Sequence, residues 1–183
     1  MNVIIYPGPA LKQRAAEVDP STDPSLPELA AQMARVMYDA PGIGLAATQI
    51  GVIKRVVVYD LGDESPRPVA LCNPVITSTG DQTEVDDEGC LSFPGISVPV
   101  ERYLSVTCEA VSLAGEPVTI QAEGLHARLL QHEIDHLDGV VIIDRAAPEE
   151  RKAALRRFRE ALEAGATPGQ TDIESSGDRP VAG

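Results

Sequence analysis

The run Gln131-His132-Glu133-Ile134-Asp135-His136 holds the residue types best able to do chemistry in this chain. Histidines four apart on a helix share one face a turn apart, so both imidazoles can converge on a single cation. The glutamate beside the first then points toward the open side of that cation, where a carboxylate serves a water as general base, the H-E-x-x-H arrangement. Leu125, Leu129, Leu130, Ile134 and Leu137 recur at helical spacing around it, Gly124 can open the segment and Gly139 lies just past its end. The same pattern also arises where a histidine pair is merely solvated or packed. A catalytic site needs three protein ligands and an open position. His126 is rotated well off the face of the pair. The third ligand must come from elsewhere.

A helix of this kind needs other elements to hold it, and the composition supplies them. A length of 183 residues favours one domain, and a hydrophobic fraction of 43% is ample for a core. With no Trp and 3% aromatics, that core is expected to be aliphatic. The net charge of −13 argues against nonspecific nucleic-acid or membrane binding and gives no sign of specific DNA recognition. Cys72, Cys90 and Cys108 are an odd, widely spaced set that indicates no disulfide framework and fits a reducing cytoplasm. The N-terminus lacks a basic, apolar targeting pattern, and no stretch approaches the ~20 apolar residues of a membrane span. The expectation is a soluble cytoplasmic protein.

Along the chain, residues 7–27 read as a wrapping loop. Ser25 and Glu28 look like a capping box for an amphipathic helix carrying Leu26, Leu29, Met33, Val36 and Met37 to about Asp39, with Pro41-Gly42 ending it. GIGLAATQ at 42–49 is small and uncharged, suited to close backbone approach or to a tight buried turn. Strands are predicted at 55–61 and 71–77, a polar loop at 62–68, an acidic turn region at 80–87 and a hairpin from 103–111 and 117–121. EGCLSFPG at 88–95 breaks the run of strands and sets Cys90 alone in a Gly-flanked loop, whereas Cys72 and Cys108 read as buried hydrophobes. A short strand at 140–143 precedes a last helix over 148–164, striped by Leu155, Phe158 and Leu162. Residues 166–183 read as a disordered tail.

GIGLAATQ at 42–49, EGCLS at 88–92 and QHEIDH at 131–136 stand in the order and at the separation of the three signature motifs of the peptide deformylases. The chain resembles that family from its N-terminus to about residue 160. The resemblance implies an α+β fold, with mostly antiparallel β-sheets packed around a central helix carrying HExxH, plus an N-terminal and a C-terminal helix. It implies one catalytic domain over 1–165, with 166–183 outside it. Carried over by residue, it implies Cys90, His132 and His136 as metal ligands and Glu133 as the catalytic acid/base. Gln49 and the Leu91 backbone N–H would be donors to the substrate carbonyl oxygen. The implied cofactor is one divalent ion per chain, Fe2+, with Ni2+, Co2+ or Zn2+ as substitutes. The implied substrate is the N-formylmethionyl end of a new polypeptide, hydrolysed to formate and a free amino terminus.

For substrate binding, the resemblance points to a tight wall near Gly44 and Leu91 and to a methionine pocket lined by the neighbourhood of Glu88, Leu125, Leu129 and the stem of Arg128. Peptide backbone would pair with strand edges at Gly44 and near Gly95. One departure stands out: many relatives read Val-Pro-Arg where this chain has Val98-Pro99-Val100-Glu101-Arg102. That puts in question a basic residue's part in holding the downstream backbone. Two other readings stay open from sequence. One is a zincin-type metallopeptidase with Glu160 or Glu163 as third ligand; the other is a structural metal site with four protein ligands. Lys152, Arg156 and Arg159 line one side of the last helix, either as a solvated face balanced by Glu149, Glu150, Glu160 and Glu163 or as a transient contact for ribosomal RNA.

Overall fold

The computed structural model describes residues 1–62 and 67–171 together with the backbone of the strand Val181–Ala182. The elements run α1 (Leu26–Asp39), β1 (Gly44–Ala46), β2 (Val56–Tyr59), β3 (Val69–Thr79), β4 (Thr83–Gly89), β5 (Ser97–Tyr103), β6 (Ser105–Val111), β7 (Pro117–Glu123), α2 (Gly124–Leu137), α3 (Ile142–Arg145), α4 (Pro148–Glu163) and β8 (Val181–Ala182). A five-stranded antiparallel sheet has the order β1-β2-β3-β6-β7, and a smaller sheet has the order β5-β4-β8. This is the α+β arrangement with a central HExxH helix. Among the described residues no helix is long and apolar enough to cross a membrane.

The two-residue period of β2 explains how one short strand serves two cores. Val57 and Tyr59 join Leu71, Cys108, Leu129, Leu130, Ile134 and Leu137 beneath α2, while Val56 and Val58 join Leu26, Met33, Met37 and Leu45 beneath α1. A third core packs β5 against α3 and α4 through Val98, Val100, Ile143, Ala154 and Phe158, with Phe93 at its centre. Helix α2 gives Ala127, Leu129, Leu130, Ile134 and Leu137 to the first of these. Its residues Ala127–Leu130 and His132–Leu137 are all buried. Gln131 fixes it to the second sheet, with Nε2 donating to Tyr103 O at 2.9 Å and Oε1 accepting from Tyr103 N at 3.1 Å.

Several local expectations give way to tertiary context. Ser25 does begin α1, but its hydroxyl donates to Asp23 at 2.6 Å instead of capping the helix. The acidic turn region is largely strand β4, whose residues 83–87 are exposed on both faces and therefore lack an apolar period. Residues 140–143 are not a strand: Ile142–Arg145 turns as α3, with Asp144 Oδ2 accepting from Val141 N at 3.0 Å. Residues 166–171, which the sequence assigns to the tail, pack back on the domain. Gly95 N donates to Gln170 O at 2.7 Å and Thr171 is buried. The rest of the expected disorder, 172–180 and residue 183, lies outside the described residues.

Candidate metal centre

Two elements bring the chemistry together. Strand β4 ends at Gly89, so Cys90 leaves it directly toward α2, whose i, i+4 spacing has already put His132 and His136 on one face. Cys90 Sγ lies 3.3 Å from His136 Nε2, and His136 Nε2 lies 3.2 Å from His132 Nε2. One ligand atom from each of the three falls within 4.8 Å of the others. Bonds of ~2.0–2.3 Å from a tetrahedral ion to N and S place donors ~3.3–3.6 Å apart. The cluster fits such an ion with little adjustment, and thiolate plus imidazole suits a borderline divalent cation.

The surrounding shell is built to orient His132. Its Nδ1 meets Glu88 Oε2 at 2.9 Å, which turns Nε2 toward Cys90 and His136, the usual outer-sphere device for a ligating histidine. Glu88 is wholly buried and is held by Arg102 Nε at 2.8 Å, Arg102 Nη2 at 3.0 Å and Arg128 Nη1 at 2.9 Å. Arg102 Nη1 continues to Asp135 at 2.6 Å, and Arg145 of α3 donates to the same carboxylate. Burial opposes ionisation of Glu88, but the His132 and Arg102 hydrogen bonds outweigh it and hold its carboxyl well below the usual range. Burial likewise opposes charge on His132, yet Cys90 and Glu88 lift it well above the imidazole range; burial and the neighbouring His132 push His136 well below it.

Glu133 is the exception in this network. Both of its carboxylate oxygens are buried without a hydrogen-bond partner, as is His136 Nδ1. Burial pushes its carboxyl up to about 7. Glu88 and Asp135, the other buried carboxylates of this network, are paired with arginines or with His132. Gln49 closes the far side from a 3-10 turn, with Oε1 accepting from Ala46 N at 2.9 Å while Nε2 lies 3.3 Å from Ser92 Oγ and 3.7 Å from Cys90 Sγ. Thr48 of that turn donates to His136 O at 3.2 Å. Leu91 directly follows Cys90 and its side chain is fully buried.

The remaining residues singled out from sequence fall as follows. Gly44 lies directly against Glu133 and Leu129: a Cβ there would come within 2.5 Å of Glu133 Oε1 and 2.7 Å of Leu129 Cδ1. Leu125 and Arg128 border a cleft of about 120 Å³ shared with Glu84, Asp86, Tyr103 and Leu104. Leu129 sits behind Gly44 in the core, and Glu88 faces His132 rather than that cleft. Arg128 is more than a stem, because its guanidinium also donates to Val100 O and Glu84 O, both at 2.9 Å. The loop at Gly95 is not an open edge; Ala161, Ala166 and Gln170 cover it. Glu160 and Glu163 are exposed on α4, and Cys90 takes the third-ligand place, so the zincin reading is not favoured. The sequence reading missed Arg102, Asp135 and Arg145 as parts of the site. Arg102 had a signal, since it follows Val98 and Val100 on the buried side of β5.

Comparison with known proteins gives the family. The profile of the Polypeptide deformylase family matches residues 1–152. The chain belongs to that family. It is 44% identical over 161 residues to the peptide deformylase of Rhizobium meliloti, covering 87% of this chain and 92% of that protein. It is 49% identical over 138 residues to the peptide deformylase of Natranaerobius thermophilus, covering 75% of this chain and 86% of that protein. The crystal structure of a peptide deformylase from Legionella pneumophila superposes with a TM-score of 0.82 at 38% identity, covering 89% of this chain and 96% of that one. Deformylases of this family are metal-dependent hydrolases, in keeping with the Cys/His/His cluster.

Proposed function

We propose that this deformylase removes the formyl group from the N-terminal formylmethionine of new polypeptides, with Glu133 as its acid/base and Cys90, His132 and His136 as its metal ligands. The observation that carries the reading is the buried Glu133 carboxylate, left without a protein partner beside the Cys90/His132/His136 cluster. A divalent cation bound there supplies Lewis acidity and lowers the pKa of water. Glu133 takes a proton from the attacking water and passes it to the departing amine nitrogen, so one water is consumed and formate and a free amino terminus are released. Gln49 Nε2 and the Leu91 N–H donate to the formyl oxygen as negative charge develops on it. Glu88 keeps His132 in the tautomer that presents Nε2.

Gly44 stands directly against Glu133, and selectivity for formyl over acetyl groups is assigned to this close wall. The methionine side chain is assigned to the cleft bordered by Leu125 and Arg128, with Leu129 and Glu88 buried rather than lining it. Backbone beyond the first residue is assigned to the strand edges beside the cluster, β1 at Gly44 among them, and so carries little sequence preference. The working metal is assigned as Fe2+, with Ni2+, Co2+ and Zn2+ as substitutes, and the enzyme as cytoplasmic. Lys152, Arg156 and Arg159 are exposed along α4 and suit a transient ribosome contact. An anaerobic assay on formyl-Met-Ala-Ser, with metal analysis of the same preparation, tests this reading. The Fe2+ form should outpace the Zn2+ form and decay in air as Cys90 oxidises. Equal, air-stable rates would overturn the iron assignment, and absence of formate release in every metal form would overturn the function.

A further inference from the structure

Strand β4 has two edges. One is occupied along its whole length by β5, from Thr83 opposite Tyr103 to Gly89 opposite Ser97. The other carries the β8 strand in parallel, with Val181 opposite Glu88 and Ala182 opposite Gly89. Those two positions are the last before Cys90, and Glu88 holds His132. Val181–Ala182 is therefore seated on the few residues of sheet edge that abut the metal-ligand cluster, and it runs toward Cys90.

A strand edge can satisfy only one partner at a time, because each backbone N–H and C=O that points outward makes one ladder bond. A formyl peptide whose first residue reaches Cys90, His132 and His136 must leave along the strand edges beside them. Its polarity there is opposite to that of β8, since its N-terminus is the end at the cluster. Parallel and antiparallel strands draw on the same edge groups. We propose that Val181–Ala182 is a built-in competitor for the β4 edge, so that the C-terminal segment and the backbone of the formyl peptide occupy it in turn; this rests on the deformylase reading above. A two-residue ladder is short enough to be displaced. Tethering nevertheless gives it an effective concentration of order millimolar, enough to raise the apparent KM about 2–10-fold if its own affinity is also millimolar. The first residue of the substrate still reaches the catalytic groups once bound, so kcat is untouched.

The test compares the full chain, its Ala182→Pro variant and a chain ending at Thr171, which keeps the Gln170–Gly95 contact. Pro removes an N–H and is poorly accommodated within a ladder. Hydrogen exchange of the peptic fragment covering 83–90, read without substrate, should be slower in the full chain than in the shortened one. KM for formyl-Met-Ala-Ser should fall about 2–10-fold in both altered forms at constant kcat. A synthetic peptide of residues 172–183 should inhibit the shortened chain competitively. Equal exchange in all three forms overturns the docking whatever the kinetics show. Slower exchange with an unchanged KM overturns the competition. Loss of formyl-peptide hydrolysis in every form, the unaltered chain included, would defeat the deformylase reading and the competition with it, while exchange alone would still judge the docking.

Discussion

Gly44→Ala is the substitution whose effect follows most directly from the packing around Glu133. A Cβ at residue 44 would stand 2.5 Å from Glu133 Oε1, 3.0 Å from Glu133 Cδ and 2.7 Å from Leu129 Cδ1. Ordinary contact begins near 3.4 Å, so the carboxylate must move by roughly 0.9 Å, or β1 must retreat by as much. Both clashing atoms are ends of flexible side chains, so the stability cost should stay near the low end of the ~1–3 kcal/mol typical of overpacking. The catalytic cost is larger, because ~1 Å of misplacement in a reacting group costs ~10²-fold, about 2.7 kcal/mol of transition-state stabilisation. Steady-state hydrolysis of formyl-Met-Ala-Ser, with metal content and a urea melt on the same protein, separates the two. The expected result is kcat reduced ~10²-fold with one metal per chain retained, since the atoms nearest an added Cβ belong to Glu133 and Leu129 and not to Cys90, His132 or His136. A kcat within threefold of the parent would refute the claim that Gly44 sets the position of the base.

Cys90→Ser should lose metal affinity and activity together, as read by metal content after dialysis; full occupancy in that variant would remove Cys90 from the ligand set. Arg102→Ala leaves Glu88 and Asp135 buried without their shared partner, and loss of one member of a buried ion pair costs ~3–5 kcal/mol in urea unfolding. It should also loosen His132 and weaken metal binding ~10–100-fold. The half-exposed pair of Lys12 with Asp144 should contribute only ~0.5 kcal/mol after solvent screening. Burial raises the Asp144 carboxyl, but hydrogen bonds from Lys12 and Val141 outweigh it and hold its folded pKa low. A depressed carboxylate stabilises the fold above its unfolded pKa and loses that contribution as pH falls through the folded one. Lys12→Met should thus be less stable than the parent at pH 7, with the gap shrinking as pH falls below about 4; a gap unchanged by acidification would assign it to packing of the lysine stem.

The parts of this site legible in the sequence are those fixed by local spacing. The four-residue interval of His132 and His136 needs only a helix to become a shared face, and the flanking leucines announce that helix. The three motifs add Cys90, Gln49 and Leu91, although nothing local in EGCLS says where Cys90 lies. Its place comes from the β4–β5 ladder. That ladder was itself illegible: Glu84, Asp86 and Asp87 alternate no apolar face, because both faces of β4 meet solvent until Glu88. Arg102 and Arg145 belong to the same class. Their burial or pairing is set by partners some 14 and 10 residues away, Glu88 and Asp135, and a charge on a strand or after a helix reads as surface by default. Val140 to Ile143 failed for another reason. A continuous buried apolar run has no period, so it cannot separate a strand from a helical turn.

The central claim is that Glu133 works as the acid/base beside a metal held by Cys90, His132 and His136. Formate release by Glu133→Ala, measured with metal stoichiometry on the same sample, tests it most directly. Glu133 makes no hydrogen bond to the three ligands, so its removal should leave one metal per chain. Loss of general acid–base catalysis should lower kcat by ~10²–10⁴-fold. Formate release at the parent rate, with the metal still bound, would contradict the account.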